Sequence, residues 1–382
     1  MRKYISHIAF SLALLTFACK ETYEPEVNFS ATNLLVVEGL LNGNGVTTIR
    51  LSRTSNNSSN NSVTEAGANV EVEDEQKNTY SLSEASRGVY TTKHAFVAGH
   101  RYRLLIKTAN GSQYASEYVT LLSTPEIDSL PWKRVRQGVQ IYASTHDQSN
   151  KTRYYRWEYE ETWIIVPSYH SRYEIEFNEN ADPVDKFPYR IFPRRPENAF
   201  PDSCWQTETS KSINLGSSSR LKDDVISLAP VSYIPQASWK LDTRYSILVK
   251  QYALSAAGFE YWENMKKNTE GLGSIFDPQP SEIRGNITCV SDPKEQVVGF
   301  FDASTTAVKR LFISNREVSN WNYNSGCIEV SALEIPDSLV TIFPQNTPLN
   351  KETRTTGQYV TGVAPACVDC RLKGVPVKPD FW

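Results

Sequence analysis

The sequence predicts a mainly β protein: two β-sandwich-type domains in tandem, the second with a long insertion and one helix. Three observations carry this. Between residues 34 and 119, seven short β-branched or aromatic runs are separated by Gly, Asn and Ser clusters, the spacing of an antiparallel β-sandwich. Arg153–Val166 then places Tyr155, Trp157, Tyr159, Glu161 and Trp163 on one side and Tyr154, Arg156, Glu158 and Glu160 on the other, the two-residue period of a strand with a mostly aromatic face. A single stretch, capped by Ser255 and running to about Asn268, has the apolar stripe of an amphipathic helix (Phe259, Trp262, Lys266, with Tyr261 and Met265 adjoining).

At the amino terminus, Arg2 and Lys3 precede the 11-residue apolar run Ile8–Ala18, too short for the roughly 20 residues of a membrane-spanning helix. Residues 1–18 read as a signal peptide. The run ends Leu15-Thr16-Phe17-Ala18-Cys19, which resembles the lipobox of bacterial lipoproteins, with a loose fit at Thr16 and Phe17. The expectation is cleavage before Cys19 and acylation of its thiol. Acyl chains add about 0.8 kcal/mol per buried CH2, so two or three of them hold a protein on a membrane without a spanning helix. Residues 19–33, with Lys20, Glu21, Glu24, Pro25 and Glu26 and no apolar periodicity, form a lipidated tether.

The first domain spans 34–123. Its strands are expected at Leu34–Leu41, Val46–Arg53, Asn69–Glu73, Thr79–Ser83, Gly88–Thr92, Tyr102–Lys107 and Gln113–Val119. Asn110-Gly111 marks a tight type I′ hairpin, and the Asn/Ser stretch Thr54–Ser62 a solvated loop. Thr124–Trp132, punctuated by Pro125 and Pro131, connects to the second domain, 124–382. There, strand patterns fall at 135–141, 153–166, 212–215, 244–252, 282–290, 296–302, 308–314, 327–330 and 339–343. The insertion, 178–201, is rich in Pro, Asp, Asn and Arg, and loops of that length serve binding or stay disordered.

Charge excludes one class of partner. Lys plus Arg number 40 against 43 Asp plus Glu, a net charge of −3, so no basic excess exists to neutralise nucleic-acid phosphates. Setting Cys19 aside, five cysteines remain, and at most two disulfides form among them. Cys367-Val368-Asp369-Cys370 has CxxC spacing, but no second pair and no nearby histidine completes a zinc site. One or both of Cys367 and Cys370 are therefore expected to form structural disulfides with Cys289 or Cys327, in a connectivity that spacing leaves open. No metal and no cofactor is predicted.

Gly67–Val72, Gly88-Val89-Tyr90 and Gly99–Tyr102 look like the carboxypeptidase-regulatory or transthyretin-like sandwich. Arg244–Tyr252, Tyr261-Trp262, Gly273–Pro280, Gly285-Asn286-Ile287, Cys367–Cys370 and Lys378–Trp382 together resemble the domain-of-unknown-function family 4249, lipoproteins of Bacteroidota, over essentially the whole mature chain. The resemblance implies an outer-membrane lipoprotein, often associated with TonB-dependent transporters. It implies no catalytic or ligand residues.

Neither does the chain itself supply catalytic motifs: HExxH, GxSxG, P-loop and Rossmann patterns do not occur. The protein is read as a non-enzyme. The aromatic excess (8 Trp, 20 Tyr, 15 Phe) is the feature that points to a ligand, because aromatic faces beside Arg stack on sugars, peptides or cofactors. The candidate ligand residues are Trp157, Trp163, Tyr189 and Phe192, against the competing reading of the same side chains as sandwich core and packed loop. Phe381 and Trp382 are expected to dock back on the second domain. The functional expectation is a lipid-anchored protein of the outer membrane, exposed at the cell surface, acting as a nutrient-binding or accessory subunit of a TonB-dependent uptake system. The alternative is a structural or adhesive surface protein.

Overall fold

The computed structural model describes residues 33–54, 63–177, 189–270 and 284–382. The expected signal peptide, Cys19 and nearly all of the tether lie outside the described residues, as do Phe187, most of the Asn/Ser loop and the Gly- and Pro-rich stretch after the helix.

Residues of the first domain alternate between a buried and an open face. In Thr47–Arg53, Thr47, Ile49, Leu51 and Arg53 point inward; in Arg101–Lys107, Tyr102, Leu104 and Ile106 do. Burying one face of each strand supplies most of the stabilisation of such a sheet, about 1.5–3 kcal/mol per large apolar side chain. The strands follow one antiparallel path, 113–116, 101–107, 69–74, 79–86, 89–92, 47–53, 35–42. Asn110-Gly111 does make the expected turn, but not as type I′. Only Gly111 has positive φ (93°), and the Asn110 side chain supports the turn by accepting from Thr108 Oγ1 (2.6 Å) and Ser112 N (3.1 Å).

Both ends of this path are closed by a segment from far along the chain. Ile287–Cys289 pairs antiparallel with Gln113–Ser116, and Val297–Gly299 pairs parallel with Leu35–Val37. Ala303-Ser304 then continues the parallel pairing at Leu41-Asn42. Residues 284–304 therefore act as a clasp between the two edges of a curled sheet, whereas the strand pattern alone assigned them to the second domain. Ile287, Cys289, Val297, Phe301 and Ala303 complete the first core. In the clasp loop, Glu295 accepts from Arg53 (3.2 Å) and from the Tyr114 hydroxyl (2.7 Å), while Arg53 also donates to Glu65 (2.5 Å).

The second domain is a sandwich of two sheets. One contains Ile127–Ser129, Trp132–Val135, Gly138–Asp147 and Asp224–Pro235; the other contains Tyr154–Ile165, Cys204–Thr209, Asn214–Ser217, Arg244–Ala253 and Thr306–Ser314. The stretch 124–132, read as a connector, thus supplies strands of its own. Val139, Ile141, Ile226 and Ile234 from one sheet meet Tyr155, Trp157, Trp163, Tyr245 and Ile247 from the other.

The insertion is not a free loop where it is described. Tyr189–Pro193 pairs antiparallel with Tyr173–Phe177, and Pro196–Asn198 is a short 3-10 turn. This hairpin packs on a small sheet of Val330–Leu333, Thr347–Arg354 and Gly357–Val363, and on a helix, Pro336–Ile342, around Tyr189, Leu339, Phe343 and Val360. The run 339–343, read as a strand, is thus mostly helix. Pro336 in its first turn lacks the N–H that a helix start leaves unpaired anyway, and a five-residue apolar run has no period to tell the two apart.

Helix α1 (Ala256–Glu270) matches the expected one within two residues. Ser255 caps it by accepting from Gly258 N (3.0 Å). Asp302, on the clasp, lies against this helix start; it accepts from Ala303 N (3.0 Å) and, at 3.4 Å, from Ser255. Burial pushes its carboxyl up to about 6, with hydrogen bonds from Ala303 and Ser255 opposing. A carboxyl raised in the folded state binds protons more tightly there than when unfolded. Its stabilising contribution is therefore present below pH 4 and lost as pH rises through 6, a change on the order of 3 kcal/mol. The lowered Glu73 and Asp147, both at about 2, titrate below that window. Urea midpoints compared at pH 4.5 and 7 should fall more in the wild type than in Asp302→Asn, which keeps only the slope of other raised groups such as Asp242 and His146; an identical slope in both removes the assignment.

Candidate functional site

A shallow crevice of about 20 Å³ lies at one end of the second sandwich, room for roughly one water molecule. One wall is the chain leaving the central aromatic strand, Ile164–Ser168. Also lining it are Trp239 and Asp242 from a 3-10 turn and its end, Tyr323 and Ser325 from a later loop, and Lys373 near the carboxyl terminus.

Local sequence places each of these. Ser238 caps the turn Trp239–Leu241 with its hydroxyl, and Leu241 is anchored at 0% exposure. This leaves Trp239 edge-on to the buried Trp163, centroids 5.3 Å apart, and aims Asp242 outward at the turn's end. Asn315 Nδ2 donates to the Asp242 backbone carbonyl (2.5 Å). Asn320 and Asn322 both take left-handed backbone conformations (φ 54° and 51°), which Asn tolerates better than most residues. Between them Trp321 turns inward and donates to Ser238 O (2.8 Å), and the chain returns with Tyr323 at the crevice.

Two disulfides fix the floor. Cys204–Cys370 ties the edge of the aromatic sheet to the carboxyl-terminal segment, and Cys327–Cys367 ties that segment to the loop after Tyr323. Cys367 pairs with Cys327 as expected, but Cys370 pairs with Cys204, outside the expected partners, and Cys289 is free and buried. Cys289 points into the first core on the clasp strand, so it belongs to a different packing unit from the CxxC pair.

The crevice combines apolar walls with two charges of opposite sign. Among the described residues, no hydrogen bond or ion pair reaches the Asp242 carboxylate, and burial raises its pKa. The Tyr323 hydroxyl is raised by burial and by the charge of Asp242. The Lys373 ammonium, half-buried, is likewise without a partner and does not pair with Asp242.

The four residues singled out from sequence do not converge. Trp157 and Trp163 are 1% and 0% exposed; Trp157 Nε1 donates to Gln251 (2.8 Å). Their aromatic face is sandwich core because a second sheet covers it. Tyr189 is buried in the small sheet, donating to Glu334 O (3.2 Å). Phe192 is half-buried under Arg195, 5.0 Å from its ring. Phe381 and Trp382 do dock back: Arg310 lies 3.4 Å over Phe381, and Trp382 meets Phe312 (5.7 Å) and Trp205 (6.5 Å). Sequence reasoning passed over Trp239, Asp242 and Tyr323. The signals available were a Ser-Trp-x-Leu-Asp turn and the Asn-rich Asn320–Asn324, neither of which states that a carboxylate is left unpaired.

Among the described residues no group of three or more His, Cys, Asp or Glu is arranged to hold a metal ion. His146 and Asp128 form an exposed pair (2.8 Å), in which hydrogen bonding to Asp128 raises the imidazole pKa.

No curated protein matches the sequence. A solved structure titled as a "putative carbohydrate binding protein" from Bacteroides uniformis aligns at 9% identity over 60% of this chain and 92% of its own, with a TM-score of 0.12, a value at which the likeness carries no argument about fold or function. The family model described as a domain of unknown function, DUF4249, matches residues 20–310, and the chain belongs to that family.

Proposed function

We propose that the protein is a lipid-anchored lipoprotein of the outer membrane, exposed at the cell surface, and that it captures a small ligand as a binding or accessory subunit of a TonB-dependent uptake system. The observation that carries this reading is Cys19 directly after the charged n-region and the short apolar run Ile8–Ala18, the arrangement that export and acylation require. Two disulfides support it from another direction, because such bonds persist in oxidising compartments outside the cytosol. None of the described helices is long and apolar enough to cross a membrane, and an acylated Cys19 makes one unnecessary.

The test is made in cells. The wild type should incorporate labelled palmitate, fractionate with outer membranes and crosslink to a β-barrel transporter. Cys19→Ala should lose the label and appear in soluble fractions. A Cys19→Ala protein still held by membranes removes the anchor, and an anchored protein that crosslinks to no β-barrel removes the transport role.

A further inference from the structure

Thr306–Ser314 forms one edge of the aromatic sheet. It pairs with Arg244–Ala253, and among the described residues no strand lies on its other side. In an antiparallel strand, alternate residues turn their N–H and C=O toward the partner and the rest turn theirs away. Thr306 turns outward, because its N–H donates to Asn44 Oδ1 (2.8 Å) and its carbonyl accepts from Asn44 Nδ2 (3.1 Å). Ser314 does the same, its N–H donating to Glu317 (2.6 Å). Asn315, one position on, bonds back to Thr243 O (3.0 Å), which fixes the same parity. Val308, Arg310 and Phe312 therefore present three N–H and three C=O groups between two capped ends, and no backbone group among the described residues takes them up on the outward side. Open edges are commonly blunted by proline, a bulge or shortness. This one runs nine residues without proline, glycine or register shift, and Val308 is 54% exposed.

What guards the edge is charge of one sign. Lys309 Nζ donates to the carbonyls of Ile127 (3.0 Å) and Asp128 (2.7 Å), and Arg310 donates to Ser246 Oγ (2.9 Å); among the described residues neither forms an ion pair. The acids nearby are engaged or set back: Asp128 holds His146, Glu317 caps Ser314, and Glu160 lies two strands further in on the outer face. We propose that this edge receives an added strand from a partner, an extended acidic segment of another polypeptide. Its main chain pairs with the outward groups of 308–312, and carboxylates on its two faces lie beside Lys309 and Arg310. A second copy of this chain fits less well. The register in which all three outward residues of each copy bond sets Arg310 opposite Arg310, and like charges directly opposite destabilise a strand pair. The two cations thus repel a like strand and favour an acidic one. This interface is independent of the lipid anchor and of ligand capture.

The test uses the purified chain, residues 20–382, and three labelled seven-residue probes followed by fluorescence anisotropy: a peptide alternating valine and glutamate, its valine–lysine counterpart, and the acidic peptide with every amide N-methylated. The acidic peptide should bind. The lysine peptide and the N-methylated peptide should each bind about 10-fold more weakly or worse, since one loses the charge match and the other its strand donors. Amide exchange read by NMR should show new protection at Val308, Arg310 and Phe312 when the acidic peptide is added, and none at Lys309 or Leu311, which already face Arg244–Ala253. Val308→Pro removes one outward N–H while sparing the existing ladder, and should weaken the acidic peptide at an unchanged melting temperature. Lys309→Glu with Arg310→Glu should reverse the preference toward the lysine peptide, a gain that a misfolded variant would not show. The proposal fails if the acidic peptide gives no anisotropy change at millimolar concentration, if the lysine or N-methylated peptide binds as well, or if protection appears away from the three outward amides. It fails equally if sedimentation shows the chain alone pairing with itself through 308–312, which would make a second copy the occupant.

Discussion

Replacing Cys204 and Cys370 together by alanine is expected to destabilise the second sandwich by about 3–5 kcal/mol and to lower its melting temperature by about 10 °C. The two residues are 166 apart in sequence, and closing a loop of that length in the unfolded chain accounts for about 5 kcal/mol in the chain-entropy treatment. Both side chains are also buried in the main core of this domain, at 0% and 1% exposure, so the change removes packing as well as a crosslink. The second disulfide spans only 40 residues, and the same treatment assigns it about 4 kcal/mol. Cys327→Ala with Cys367→Ala should therefore cost somewhat less. Cys289→Ser, whose thiol is already within reach of Ser291 and Glu295, should cost little. All eight tryptophans lie between residues 132 and 382, so urea unfolding followed by their fluorescence reads this part of the protein. Unchanged midpoints in the Cys204/Cys370 double variant, or an effect no larger than that of Cys289→Ser, would sink the assignment. The double variant should also loosen the crevice, because Cys370 lies in its floor three residues before Lys373.

The first domain was legible because its information is local. Alternation in 47–53 and 101–107 states both the strand and its buried face, and Gly- or Asn-bearing turns separate one strand from the next. The clasp was not legible as such. Ile287–Cys289 and Val297–Gly299 are three-residue strands, too short for a period to emerge, and what assigns them to the first domain is pairing with partners more than 170 positions away. The aromatic stripe of 154–165 was read correctly as one face of a strand, but a strand does not state whether a second sheet covers that face. Here the covering strand is Asp224–Pro235, whose own pattern is interrupted by Pro230 and by Leu228 in a left-handed conformation (φ 56°). Trp157 and Trp163, candidate binding residues by sequence, are therefore core. Asp242 was invisible for the complementary reason: a single Asp after a Trp-bearing turn is ordinary in sequence, and its lack of a partner is a property of the folded neighbourhood. The family-like motif Gly285-Asn286-Ile287, by contrast, has a physical explanation only in three dimensions.

That explanation yields the other large expected effect: Gly285→Ala should open the clasp. A Cβ at Gly285 would stand 1.6 Å from the carbonyl oxygen of Gly299, and a Cβ at Gly299, where φ is +141°, would stand 2.2 Å from the carbonyl oxygen of Val37. Three backbones therefore pass one another with no room for a side chain, and the obstructing atoms are main chain, which cannot rotate away. Relief requires separating the clasp from Leu35–Val37 or from Gln113–Ser116, at a cost of about 3 kcal/mol or more. Asn286 holds the same crossing by mimicking a strand: its Nδ2 donates to Phe301 O and its Oδ1 accepts from Phe301 N, both at 2.8 Å. Asn286→Ala leaves both of those buried main-chain groups unpaired, at about 1–3 kcal/mol each. Hydrogen exchange is the measurement that locates the damage. In both variants, protection should fall at Val36–Leu40 on one edge of the curled sheet and at Ala115 on the other, since one segment closes both. Tryptophan fluorescence from the second sandwich should remain native. Protection lost at one edge alone, or retained at both, would show that residues 284–304 do not couple the two edges.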